Sequence, residues 1–195
     1  MSGIPRRCSS AVSRLLRVDM AGEIGAVYIC RGQLAVLRDS AARSTVSHIL
    51  SQEQTHLSAF EELVRAKRAR PSVLNPLWKR LAFGIGVVTA ALGPQAAMAC
   101  HEAVETVIAS HYNDQLRELH RMDATSTTTR TQSLNEDAGE GVGELRETVR
   151  RFRDEEEAHR ELGTAGGAAS APMYPILSNV IRAGCKIAIQ IAQKL

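Results

Sequence analysis

The unit Glu-x-x-His occurs twice, at Glu53–His56 and Glu156–His159, and each time it interrupts an apolar stripe of helical period. Residues three apart share one face of a helix, so both donors of each unit point the same way. The stripe around the first unit is Val46, Ile49, Glu53, His56, Phe60, Val64; around the second it is Leu145, Val149, Phe152, Glu156, His159. Two further stripes carry polar members inside the seam: Leu16, Met20, Glu23, Val27, Cys30, Leu34, Leu37, and Met98, His101, Glu105, Ile108, Tyr112, Leu116, Leu119. Four helices therefore each aim a glutamate at the core they share.

Glu156 is the middle of three consecutive glutamates, and helical geometry selects it. Taking about 100° per residue, Glu156 lies roughly 25° from the mean direction of its apolar neighbours, Glu155 roughly 75° and Glu157 roughly 125°. Glu155 and Glu157 thus read as solvated shoulders, with Arg153 and Asp154. The chain order Glu, Glu-x-x-His, Glu, Glu-x-x-His implies two similar helical hairpins. Glu23 and Glu53 are 30 residues apart and Glu105 and Glu156 are 51 apart. The excess is about the length of the polar segment 122–143, "MDATSTTTRTQSLNEDAGEGVG", which reads as a flexible loop.

Four ionised carboxylates in an apolar core cost several kcal/mol each when unpaired, and their repulsion opposes joint ionisation. Two divalent cations cancel the four charges. Carboxylate and imidazole donors without thiolate suit iron or manganese better than a structural zinc site. Glu23, Glu53, His56, Glu105, Glu156 and His159 are the six candidate metal ligands, in the helix-by-helix pattern of ferritin-like di-iron and di-manganese bundles. His101 is either a core residue or a neighbour of the site, and His48 and His120 read as solvent-facing.

The expected fold is all-α: a ferritin-like four-helix bundle carrying a di-metal site, plus two additional apolar or amphipathic helices for membrane association, in one domain spanning 1–195. Only 4% of the 195 residues are aromatic, and the alternation that marks strands is missing. Bundle helices are expected over 10–37, 44–69 (stopped by Pro71), 94–120 and 144–162. Leu81 to Cys100 carries no charge, but Gly84, Gly86 and "LGPQ" divide it into one short apolar helix and the start of the next. The closing "YPILSNVIRAGCKIAIQIAQKL" is amphipathic to apolar. The four cysteines are scattered, which excludes a disulfide framework and a thiolate zinc site. Residues 1–18 hold four arginines and no acid, so 1–13 reads as a short basic leader or as the start of the first helix. Net charge is only +3 and the basic cluster "VRAKRAR" has no interleaved aromatics, which excludes nucleic acid as a partner.

The linked segments "LRVDMAGEIGA", "GQLAVL", "RPSVLNPLWKRLAFGIG", "GPQAAMACHEAVE", "HYNDQL", "FRDEEEAH" and "AGCKIAI" resemble the demethoxyubiquinone hydroxylases of ubiquinone biosynthesis over nearly the whole chain. The resemblance implies a di-iron monooxygenase that hydroxylates a polyprenyl benzoquinone. It implies two iron ions, dioxygen as co-substrate and NADH as electron source. It also implies peripheral attachment to the matrix side of the mitochondrial inner membrane, and work within a biosynthetic complex that includes a lipid-binding partner protein; Arg65, Lys67, Arg68, Arg70, Lys79 and Arg80 beside the short apolar helix are the residues expected to hold anionic lipid headgroups. The family's metal ligands fall on the same six residues, and its electron-transferring His-Tyr pair falls on His111 and Tyr112. Met20 stands where the family has a histidine, and the segment 122–143 is longer than usual.

Two rival readings share the ligand pattern. A di-iron quinol oxidase would reduce oxygen to water instead of placing it in the quinone. A non-catalytic lipid-binding scaffold would need no second histidine. The sequence leaves the oligomeric state open.

Overall fold

The computed structural model describes residues 8–129 and 136–195, with side chains for 8–124 and 142–195. Among the described residues six α-helices form: α1 (Ser10–Val36), α2 (Ser40–Ala66), α3 (Asn75–Ala91), α4 (Pro94–Thr129), α5 (Glu136–Ala165) and α6 (Tyr174–Ala192), with a 3-10 turn at Ala168–Ser170. Among the described residues there is no strand. The helices α1 and α2 make one hairpin and α4 and α5 the other, and these four form the bundle; α3 lies along α1 and α6 along α4.

The stripes read from the sequence are the bundle's core. Leu16, Cys30, Val46, Ile49, Phe60, Leu119, Leu145, Val149 and Phe152 are buried; Met20, Leu34, Ile108 and Leu116 are half-buried at its edges. Side-chain caps fix two of the helix starts. Ser9 Oγ accepts from the Val12 amide at 3.3 Å and Asp39 Oδ1 from the Ala42 amide at 2.8 Å. Helix α1 therefore takes in residues 10–13 of the segment read as a leader, whose residues 1–7 lie outside the described part.

Three boundaries differ from the sequence reading. Helix α2 stops at Ala66, ahead of Pro71, because Arg68 adopts a left-handed φ of 52° and the amide of Ala69 bonds back to the Val64 carbonyl at 2.9 Å. This is a Schellman turn made without glycine. Helix α3 starts at Asn75, six residues before the uncharged run, with Pro76 in its first turn. The segment 122–143 is not a loop where it is described: α4 continues to Thr129 and α5 begins at Glu136, with 130–135 outside the described residues. Extending a formed helix is far cheaper than nucleating one, so polar low-complexity sequence continues helices that are already packed. An Arg146–Asp123 ion pair ties the two helices together at this end.

Gly93, with φ of 113°, makes the break between α3 and α4 and allows Pro94 to open α4. No helix among the described residues is long and apolar enough to cross a membrane. Helices α1 and α3 meet backbone to backbone: a Cβ on Gly86 would sit 2.1 Å from the Ile29 carbonyl oxygen, and one on Gly32 would sit 2.2 Å from that of Phe83. Side chains there would push the helices apart. Gly86→Ala is expected to lower stability by about 1–3 kcal/mol. Gly84→Ala, whose Cβ meets nothing within 4 Å, should raise it by about 0.5–1 kcal/mol. Thermal unfolding of the two variants checks this, and equal effects would refute the close approach.

Candidate metal centre

The glutamates come from all four bundle helices at one level of the core: Glu23 from α1, Glu53 and His56 from α2, Glu105 from α4, Glu156 and His159 from α5. None is more than 2% exposed. Donor atoms of Glu23, Glu53, His56 and Glu156 lie within 4.8 Å of one another, and so do those of Glu53, Glu105, Glu156 and His159. The two groups share Glu53 and Glu156. Each adds one carboxylate and one imidazole of its own, so two cations side by side would have like donor sets.

Both imidazoles turn Nδ1 to the carboxylates. His56 Nδ1 is 3.0 Å from Glu156, 3.6 Å from Glu23 and 3.8 Å from Glu53; His159 Nδ1 is 2.9 Å from both Glu53 and Glu156. The opposite nitrogens are held from outside, His56 Nε2 by Glu155 at 2.6 Å and His159 Nε2 by Gln52 at 3.0 Å. Glu155 is therefore not merely a solvated shoulder. Its Cβ points off the seam, but the side chain is long enough to cross to α2. Sequence reasoning missed both residues. The signal was there: each immediately precedes the glutamate of a Glu-x-x-His unit.

A second chain of contacts leads away from Glu23. Tyr112 donates its hydroxyl proton to Glu23, and the neighbouring His111 has Nε2 3.5 Å from Asp19 Oδ1. Gln115 Nε2 donates to the other Asp19 oxygen at 2.7 Å. Asp19 and Gln115, both buried, are additions to the residues named from sequence. His101 is buried too: its Nε2 is 2.7 Å from Gln33 Oε1, and its Nδ1 is 3.8 Å from Glu105. Burial and the nearby His159 pull it down to about 4, so it is neutral.

Burial drives the carboxyls of Glu23, Glu53 and Glu105 above the ordinary carboxylate value, and repulsion from Glu156 adds to it in each case. Burial also opposes the charged forms of Glu156 and the two histidines, but their mutual hydrogen bonds outweigh it. Glu156 is drawn down to about 2, His56 is pushed up to about 12 and His159 to about 9. Without a cation, protons carry the compensating charge. One oxygen of Glu53 and one of Glu23 still lack a hydrogen-bond partner, and the other Glu53 oxygen has only the poorly aligned His159 Nδ1 at 2.9 Å. Buried carboxylate oxygens without donors, beside imidazoles whose Nδ1 protons a cation can displace, are what hard divalent cations take up. The donor set fits a metal pair.

An apolar groove of about 510 Å³ opens between α1, α3, α4 and α6. Gly22, Ile29, Trp78, Ile85, Val104 and Ile108 are part of its wall. Gly22 and Val104 directly precede Glu23 and Glu105 in the chain.

Together these features define the class: an all-helical bundle whose core holds a buried carboxylate–histidine cluster of the kind that binds two metal ions. The sequence profile described as "Ubiquinone biosynthesis protein COQ7" matches residues 10–192, and the chain belongs to that family. It is 43% identical to the "3-demethoxyubiquinol 3-hydroxylase" of Rhodospirillum rubrum, over 96% of this chain and 80% of the relative. It is 41% identical to the human "NADPH-dependent 3-demethoxyubiquinone 3-hydroxylase, mitochondrial", over 95% of this chain and 79% of the relative. It is 40% identical to the yeast "5-demethoxyubiquinone hydroxylase, mitochondrial", over 94% and 78%. The human relative's name specifies NADPH, where the sequence resemblance implied NADH.

The protons stored in the metal-free centre give a pH signature. His56 and His159 have folded values of about 12 and about 9 against an ordinary 6.5, so above pH 6.5 the folded chain holds protons that the unfolded chain has released. Their stabilisation is complete below pH 6.5 and lost as pH rises, at most about 1.4 kcal/mol per pH unit for each imidazole. The melting temperature of chelator-treated protein should therefore fall from pH 6.5 to 9. Saturating Fe(II) under anaerobic conditions, which replaces those protons, should remove the slope; the same slope with and without metal would contradict this account.

Proposed function

We propose that this chain is a di-iron hydroxylase that places a hydroxyl group on the ring of a demethoxyubiquinone or demethoxyubiquinol in ubiquinone biosynthesis. The observation that carries the reading is the set of donor-less carboxylate oxygens of Glu23 and Glu53, buried beside His56 and His159, with Gly22 and Val104 of the apolar groove's wall next to Glu23 and Glu105 in the chain. Hydroxylase is also the activity in the names of the relatives. In this reading Glu53 and Glu156 would contribute to both donor sets, Glu23 and His56 would complete one, and Glu105 and His159 would complete the other. Iron bound there supplies the reduction of dioxygen, which side chains of this kind cannot perform alone.

The protein's own residues do the rest. Phe152 stacks on His56 with ring centroids 4.0 Å apart, and Phe60 lies edge-on to Phe152, so water is kept from one side of the centre. Burial keeps the Tyr112 phenol protonated, so it remains a donor to Glu23. Tyr112 and His111 form the electron path towards the metals, with Asp19, itself held by Gln115, facing His111 at 3.5 Å. A nicotinamide nucleotide is the electron source, and NADPH, named for the human relative, takes the place of NADH.

The groove receives the isoprenoid tail, and the surface around it meets the bilayer. Leu81, Ile85 and Val88 of α3 with Leu92 at its end, and Ile176, Val180 and Ile187 of α6, are exposed at helical spacing. Unpartnered stripes of this kind suit an interfacial helix pair. Of the basic residues near α3, Lys67 is committed to Glu144 at 2.6 Å and Lys79 lies over the Tyr28 ring. Arg65 and Arg70 line an open hollow of about 470 Å³ and are the residues offered to anionic lipid. The chain acts as one peripheral domain on the matrix side of the inner mitochondrial membrane, where a lipid-binding partner protein and the biosynthetic complex would meet it.

The reaction is tested with iron-loaded protein, a short-tailed demethoxyubiquinol and ¹⁸O₂. Label in the ring hydroxyl is expected, and label confined to water would make the protein an oxidase instead. Glu53→Ala, which removes a donor common to both metal positions, should abolish metal uptake and hydroxylation together, while Glu62→Ala on the exposed face of α2 spares both. Membrane attachment has its own check in vesicle flotation. Val88→Asp combined with Val180→Asp should reduce co-flotation with anionic vesicles at least ~10-fold, since each buried side chain of this size contributes about 1.5–3 kcal/mol; unchanged flotation would place the membrane face elsewhere.

A further inference from the structure

We infer that the two metal positions are made unequal by the two residues that precede the Glu-x-x-His units, Glu155 acting on His56 and Gln52 acting on His159. The inference rests on the metal reading above and adds roles for two side chains outside the ligand set.

The two donor sets are alike in composition, each with one glutamate, one histidine and the shared pair Glu53 and Glu156. What differs is what the imidazoles lean on. With Nδ1 turned to the carboxylates, Nε2 must carry the proton in a metal-bound imidazole, and in each case that N–H has one acceptor. For His56 it is the Glu155 carboxylate at 2.6 Å; for His159 it is the Gln52 amide oxygen at 3.0 Å. The pair is related by the internal repeat. Gln52 on α2 reaches His159 on α5, and Glu155 on α5 reaches His56 on α2, so each hairpin orients the other's imidazole.

An anionic acceptor draws the N–H proton towards itself and leaves more electron density on Nδ1, whereas a neutral amide fixes the ring without that transfer. The His56 position should hold a divalent cation more tightly and be the harder of the two to reduce. Arg151 Nε lies 3.9 Å from the other Glu155 oxygen and tempers the effect without occupying the oxygen that faces His56. At the same metal position Tyr112 donates to Glu23 and weakens that carboxylate as a donor. The substitutions below leave Tyr112 untouched, so its influence is constant throughout. Glu155 and Gln52 are positioning residues: neither turns towards the centre itself.

The test compares wild type, Glu155→Gln, Gln52→Glu and the double exchange, each loaded with ⁵⁷Fe(II) anaerobically and titrated separately with Co(II). Wild type should take up two Co(II) in steps of different affinity and show two Mössbauer quadrupole doublets. In Glu155→Gln the tighter step should weaken about 10–100-fold and the doublets should converge. Gln52→Glu should strengthen the weaker step, and the double exchange should restore two distinct doublets. Glu155 has a 35% exposed side chain and its amide is isosteric, so folding is not at stake in that variant. Two metals bound with affinities and doublets unchanged by Glu155→Gln would overturn this inference alone. Uptake of no metal by the wild type would overturn the metal reading and this inference with it.

Discussion

Uncompensated negative charge in a dry core is the constraint on which this structure depends. Glu23, Glu53, Glu105 and Glu156 converge where a bundle would normally place leucines, and burying them together is costly until protons or cations compensate their charge. In the metal-free protein it comes as protons on the two histidines and on some of the carboxyls. Phe60, Phe152 and the other apolar members of the seams do more than fill space. They deny the carboxylates the water that would otherwise screen them, so the affinity for cations is a product of the packing around the centre.

Most of this was legible in the sequence because the signal was periodic. A carboxylate in a seam of otherwise apolar residues is conspicuous, and four of them, two followed by histidine at the same spacing, admit few other readings. The seams correspond to the buried faces, with only Met20, Leu34, Ile108 and Leu116 half-buried at their edges. Where the reading fell short, the physics was not periodic. Glu155 looked solvated because a helical wheel reports where Cβ points and not how far a glutamate can reach. The segment 122–143 looked like a loop because composition carries no information about helices already packed upstream and downstream of it. The end of α2 was set by a left-handed arginine, a choice of backbone conformation that residue type argues against. The Gly32 and Gly86 contact was invisible because it is a relation between two segments more than fifty residues apart.

Helix α1 links the two halves of the molecule. One of its faces delivers Glu23 and Asp19 to the core, and the other lies against α3 and lines the apolar groove. A substrate seated in that groove would therefore be separated from the metal positions by little more than the thickness of α1 and α4 at Gly22 and Val104. Smallness at Gly22 matters for that reason: a Cβ there would already be in contact with Ile108 at 3.7 Å, and any larger side chain would thicken the wall.

The glycine contact between α1 and α3 also has a mechanical meaning. Every groove-lining residue of α1 lies at or before Ile29 and every one of α3 at or before Ile85, just short of Gly32 and Gly86. The two helices approach closest at that crossing, and the groove lies between them to one side of it. A side chain at either glycine would push the helices apart there and widen the groove, so a pair of residues that line neither the carboxylate cluster nor the groove can set how bulky a molecule the groove would admit.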